Sequence, residues 1–137
     1  MTDEELLRAF EAGTDPPGGF HHADHVHVAW CYLRSEPLDG ALERFRRKLR
    51  AFAAAHGVPE RYHETITTAY VLLIADRRDA IPGATWEAFA AANGDLLVWK
   101  PSVLDRYYRT ETLTREEARL RFVAPDKAPL PSIQSSS

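Results

Sequence analysis

Four of the chain's six histidines fall between positions 21 and 27: His21, His22, His25 and His27, with Asp24 among them. A second polar knot, "YHETIT" at 62–67, holds Tyr62, His63, Glu64 and Thr67. Imidazole is the commonest metal ligand and the side chain that ordinarily titrates near neutral pH. A carboxylate beside it serves as a further ligand, a general base or an orienting group. Together the two segments hold the parts of a metal centre or of a metal-free proton-transfer site.

Helical spacing sorts these residues, because positions three or four apart share a face. His22 and His25 are three apart, and His21 and His25 four. His27 points away from His25 and reads as a surface residue. Val28, Ala29 and Tyr32 follow His25 at three, four and seven positions. His25 therefore lies beside the apolar stripe, where a carboxylate, a carbonyl or a metal must satisfy it. His63 and Thr67 share a face of a later helix. If the two helix starts converge, His22, His25 and His63 are the expected ligands of a divalent transition metal (Zn, Fe, Cu or Ni), with one position open to water or substrate. Glu64 is then a fourth ligand or general base, Asp24 an orienting group, and Tyr62 and Thr67 place the substrate. Such a metal polarises a substrate or activates water. Ligand types do not choose between hydrolytic, lyase and oxidative chemistry. Two other readings stand beside it: a metal-free His/Glu acid–base enzyme, and a ligand- or metal-binding module without turnover.

Several chemistries are excluded. After His63–Glu64 come Thr65, Ile66 and Thr67, so there is no zinc-protease "HExxH". Asp24–His25 is the reverse of the "HD" order of metal-dependent phosphohydrolases. Cys31 is the only cysteine, which rules out a cysteine-rich zinc site, and its apolar neighbours suggest a packed thiol. "PPGGF" lacks the spacing and following Lys of a phosphate loop. Arg106, Tyr107 and Tyr108 read as a surface helix with aromatic packing. The basic run "RFRRKLR" at 44–50 alternates with Leu42, Phe45, Leu49 and Phe52 and reads as the solvated face of an amphipathic helix.

The elements that must position these residues are helices punctuated by Pro and Gly. Thr2 and Glu5 form a capping box ahead of Leu6, Leu7 and Phe10. "TDPPGG" follows as a turn. Further helices are expected from about Ala23 to Leu33, from Pro37 to "HG" at 56–57, and from Pro59 to about Asp76. Thr85 caps a short fifth helix ending at Asn93–Gly94. "KPSVLDRYY" predicts a sixth, and a Thr114/Glu117 capping box a seventh through Phe122. "DLLVW" at 95–99 is the best strand candidate, with a buried link as the alternative.

The chain's 137 residues, 45% of them hydrophobic and 27% charged, suit one globular domain rather than a disordered chain. The expectation is an all-α domain of six or seven helices over residues 1–131, with an extended C-terminal arm and a flexible tail at 132–137. A net charge of −3 gives no electrostatic basis for nucleic-acid binding. The longest apolar run, "AYVLLIA" at 69–75, is too short to span a bilayer. With no signal-peptide pattern, the expected setting is the cytoplasm. The leading expectation is a small metal-dependent enzyme acting on a small polar molecule as its substrate, with homodimerisation left open.

Three motifs extend this reading. They are F-x-H-x-x-H-x-x-x-A-W (Phe20, His22, His25, Ala29, Trp30), Y-H-E-T (Tyr62, His63, Glu64, Thr65) and P-D-x-x-P-L-P (Pro125, Asp126, Pro129, Leu130, Pro131). In these the chain resembles a group of small uncharacterised bacterial proteins. The resemblance runs from about Phe20 to Pro131. It favours His22, His25 and His63 over His21 and His27, and implies no particular reaction, substrate or metal.

Overall fold

Helix α1, Asp3–Ala12, starts where the spacing predicts. The Glu5 N–H donates to Thr2 Oγ1 at 3.1 Å, and the Thr2 N–H donates back to Glu5 Oε1 at 2.8 Å. Gly13 ends the helix at φ 73°, a left-handed position that suits a residue without Cβ. The computed structural model describes residues 1–15 and 18–131. The expected tail at 132–137 lies outside them, as does part of the "TDPPGG" turn.

Two helices form the centre of the domain. Helix α2, His22–Ser35, buries Val26 and every residue from Val28 to Leu33. Helix α4, Glu64–Ala80, buries Glu64, Thr65 and every residue from Thr67 to Ile74. A helix apolar on all sides must be covered on all sides. Helix α3, Leu38–Ala55, packs on both, and α1 packs on α2 and α3. Helix α3 is amphipathic, burying Ala41, Leu42 and Phe45 while Glu43, Arg47 and Arg50 face water, and α1 buries Leu6 and Phe10 in the same way.

The other side is covered by short pieces. Helices α5 (Trp86–Ala92), α6 (Gly94–Leu97), α7 (Thr110–Leu113) and α8 (Glu116–Leu120) alternate with irregular chain. Thr85 caps α5 as expected, accepting the Ala88 N–H. "DLLVW" is mostly a helical turn, with Leu96 fully buried, and no strand occurs among the described residues. "KPSVLDRYY" forms a 3-10 turn over Val103–Arg106 in place of a full sixth helix. The Thr114/Glu117 box does not form, because the Thr114 hydroxyl donates to the Glu111 carbonyl behind it. The fourth helix begins at Glu64 and not at Pro59. Pro59 opens a separate 3-10 turn, and Tyr62 and His63 are extended.

The C-terminal arm is extended and tied down. The Tyr108 hydroxyl donates to the Val123 carbonyl at 2.6 Å. Asp126 accepts from the Arg109 N–H and the Thr112 hydroxyl. Thr65 Oγ1 donates to the Arg121 carbonyl at 2.9 Å and accepts the Val123 N–H at 3.0 Å. One fully buried hydroxyl therefore satisfies two backbone groups of the arm. Thr65→Val keeps the shape and removes both bonds. The expected cost is about 1–3 kcal/mol in denaturant unfolding, together with faster proteolysis after Leu120. Unchanged stability and cleavage would show that the arm is held by packing alone.

Candidate functional site

The starts of α2 and α4 face a small, partly open cavity of about 60 Å³ that α3 also borders. His22, His25, Thr67, Tyr70 and Trp99 line it, with Val26, Ala29, Phe45, Ile66 and Ile74 as the apolar remainder. Trp99 is 46% exposed, so the lining is thin on that side. His22 Nε2 lies 2.9 Å from the Leu96 carbonyl and donates to it, which fixes the tautomer and leaves Nδ1 as a lone-pair acceptor. The ring also meets Tyr70 edge-on and leans on Trp99.

His25 sits one turn further on, between this cavity and a larger cleft of about 460 Å³. That cleft is bounded by Phe20, Phe52, His56, Arg61 and Tyr62, among others. The ring stacks on Phe20 at 5.4 Å and meets Phe10 and Phe52 edge-on. Among the described residues its buried Nδ1 has no hydrogen-bond partner. No carboxylate or carbonyl among the described residues bonds that nitrogen. Burial pushes its pKa down to about 4, with nearby His22 adding to the effect and Asp24 opposing it. Burial also lowers His22, against the pull of the Leu96 carbonyl. Both rings are neutral at physiological pH.

The remaining predicted site residues lie elsewhere. His63 is the N-cap of α4: its Nδ1 accepts the Ile66 N–H at 3.1 Å, and its Nε2 donates to the Leu113 carbonyl at 2.7 Å. Both nitrogens are engaged, so His63 has no lone pair for a metal. Glu64 is buried, takes the Tyr62 hydroxyl at 2.6 Å and the Thr68 hydroxyl at 3.3 Å, and pairs with Arg46 at 2.8 Å. Its oxygens thus face a tyrosine, a threonine and an arginine rather than an imidazole. Asp24 accepts the His21 N–H at the start of α2 and orients no ligand. The structure thus brings His22, His25 and Thr67 to one cavity and places Tyr62 on the cleft beyond His25. His63, Glu64 and Asp24 serve helix ends and an ion pair.

Three expectations can now be set beside the geometry. His22, His25 and His63 do not gather their ligand atoms. Among the described residues, the one group with three candidate ligand atoms within 4.8 Å of one another is Asp3, His27 and Cys31. His27 is not a surface residue; it stacks flat on Trp86 at 4.0 Å and bonds Asp3. The basic run lies on the outward face of an amphipathic helix as expected, where Arg44 also pairs with Glu11 and Glu36 and Arg46 reaches the buried Glu64. Tyr70 and Trp99 were not picked out as cavity residues. Tyr70 falls on the apolar stripe of α4, and nothing in the spacing of Trp99 ties it to a helix face.

Comparison with protein-family models, curated proteins and solved structures finds no match to this chain. No helix among the described residues is long and apolar enough to cross a membrane.

The depressed His25 pKa couples stability to pH. In the unfolded chain the ring takes a proton near pH 6.5, while the native state refuses it until about pH 4. Between those values the unfolded state binds more protons, so stability is complete above about pH 6.5 and falls as acid is added. The loss from His25 alone approaches about 3 kcal/mol by pH 4. His22 and His27, also lowered by burial, act in the same direction. Unfolding midpoints measured from pH 7.5 to 4 will fall steeply for the native sequence and much less for His25→Phe. Equal slopes would show that His25 is not the coupled group.

Proposed function

We propose that this protein binds a small, uncharged, largely apolar molecule in the cavity between α2, α3 and α4. His22 and His25 hold its single polar group as neutral imidazoles. The observation that carries this reading is the lining itself: two imidazoles lowered by burial, a threonine and a tyrosine, set in otherwise aliphatic and aromatic walls. Ligand sites combine an apolar body with a few convergent polar groups in this way. A charged ligand would lose its hydration there with no ion to meet it. The free volume suits a compact molecule, and a larger one requires Trp99 to swing outward.

The arrangement supports binding over the other two readings. A metal held by His22, His25 and His63 lacks its third donor, since His63 is committed at both nitrogens. A His/Glu proton relay lacks its contact, since Glu64 is engaged by Tyr62, Thr68 and Arg46. The reading extends to a reducing, cytoplasmic setting, which suits a chain with one buried, unpaired cysteine.

Methanol, ethanol and other short-chain alcohols are suitable probes, each joining a compact apolar body to one hydroxyl. Titration should shift the ring signals of His22 and His25 in NMR spectra of the isotope-labelled protein, and leave those of His56 in place. Ala29→Leu, which fills the cavity from α2, should abolish the shifts while keeping the helical signature. If no probe moves the His22 and His25 resonances of the native sequence at millimolar concentration, the proposal fails.

A further inference from the structure

Helices α1 and α2 meet at a second cluster that the cavity does not use. His27 and Cys31 are four apart on α2 and so project from one face. Asp3, in the first turn of α1, closes on them from the neighbouring helix. Its Oδ1 lies 2.8 Å from His27 Nε2. Together the three offer one oxygen, one nitrogen and one sulfur, all within 4.8 Å of one another.

The surroundings hold these groups in place. His27 is stacked on Trp86 with the ring planes 4° apart, so the imidazole cannot turn freely. Cys31 is 3% exposed. Asp3 keeps its second oxygen 3.3 Å from Arg34. That contact orients the carboxylate and leaves Oδ1 for the cluster. Arg34 also lies over the Trp30 ring. Nearness to a guanidinium opposes a cation, and this gives the proposal a directional test.

We propose that Asp3, His27 and Cys31 form a three-ligand site for a borderline-soft divalent metal of the zinc type, pinning the start of α1 to α2. Mixed thiolate, imidazole and carboxylate donors suit zinc and its cobalt substitute, and three protein ligands leave a fourth position for water. Binding releases the Cys31 thiol proton to solvent. The His27 ring proton moves from Nε2 to Nδ1, so that Nε2 presents its lone pair in place of its bond to Asp3. Affinity therefore rises with pH. The site is separate from the cavity of the proposed ligand, and neither reading depends on the other.

Cobalt(II) added to chelator-stripped, untagged protein is the test, because a thiolate-to-cobalt absorption reports sulfur ligation directly. The expected result is tetrahedral cobalt absorption with a sulfur charge-transfer band, saturating at one equivalent and displaced by zinc. Cys31→Ser should remove the charge-transfer band. Asp3→Asn should weaken binding by at least about tenfold, and Arg34→Ala should tighten it. Circular dichroism of each variant checks that it folds. Absence of a sulfur band in the native sequence overturns the proposal, whatever the variants do. So does cobalt uptake that is unaffected by Cys31→Ser, which would place the ion on other histidines.

Discussion

Two helices buried on every side through their middle turns, α2 and α4, set the terms for the rest of the molecule. A buried helix cannot leave the polar groups at its start to water, so side chains must pair them. The first residues of α4 do this twice. His63 accepts the Ile66 N–H within the helix and donates to the Leu113 carbonyl outside it. Thr65, two residues on, holds the backbone of Arg121 and Val123. At the start of α2, His22 holds the Leu96 carbonyl. Each of these bonds reaches from a long helix to the part of the chain with least regular structure. Short helices such as α6, α7 and α8 are too brief to stand alone, and the polar starts of the two central helices give them fixed points.

This explains which parts were legible in the sequence. Helices α1 to α4 announce themselves through apolar spacing, the Thr2/Glu5 box and the Pro and Gly that separate them. The C-terminal third does not, because its four- and five-residue helices depend on contacts with distant residues. Thr114 shows the difficulty: its hydroxyl has a carbonyl within reach behind it and a helix start ahead, and sequence alone does not choose. Pro59 misleads in a similar way, opening a 3-10 turn that looks like the first turn of α4. The true start is set by His63, whose capping role depends on its ring folding back.

The same reasoning covers the functional residues. His22 and His25 were found because three-residue spacing and the following Val28 and Ala29 put them on the buried side. His27 turns away from the His25 face, and spacing reads such a residue as meeting solvent. On a helix covered all round, it meets another helix instead, here Asp3 and Trp86. Arg46 and Glu64 were each visible, but their pairing joins two helices and has no signature in either. By their polarity Tyr62 reads as a group that places substrate, and Glu64 as a metal ligand or general base. That polarity satisfies a buried carboxylate: Glu64 needs Arg46, Tyr62 and Thr68 to be tolerated at all.

Five of the six histidines have a polar partner: Asp24 for His21, Leu96 for His22, Asp3 for His27, Phe52 and Asp15 for His56, Ile66 and Leu113 for His63. Among the described residues His25 has none, although it lies deepest among aromatic rings. A phenylalanine would fill the same space without an orphaned nitrogen, and that nitrogen costs about 1–3 kcal/mol. The cost fixes the chemistry of the cavity. With no carboxylate on its walls, the ring stays neutral and can only trade a hydrogen bond with a neutral group. Some 20 residues earlier in the chain, at the start of α1, Asp3 gives His27 and Cys31 the anionic companion that His25 lacks. One helix, α2, thus carries imidazoles in two opposite environments. The presence or absence of a neighbouring carboxylate, more than the histidine itself, decides which can meet a cation.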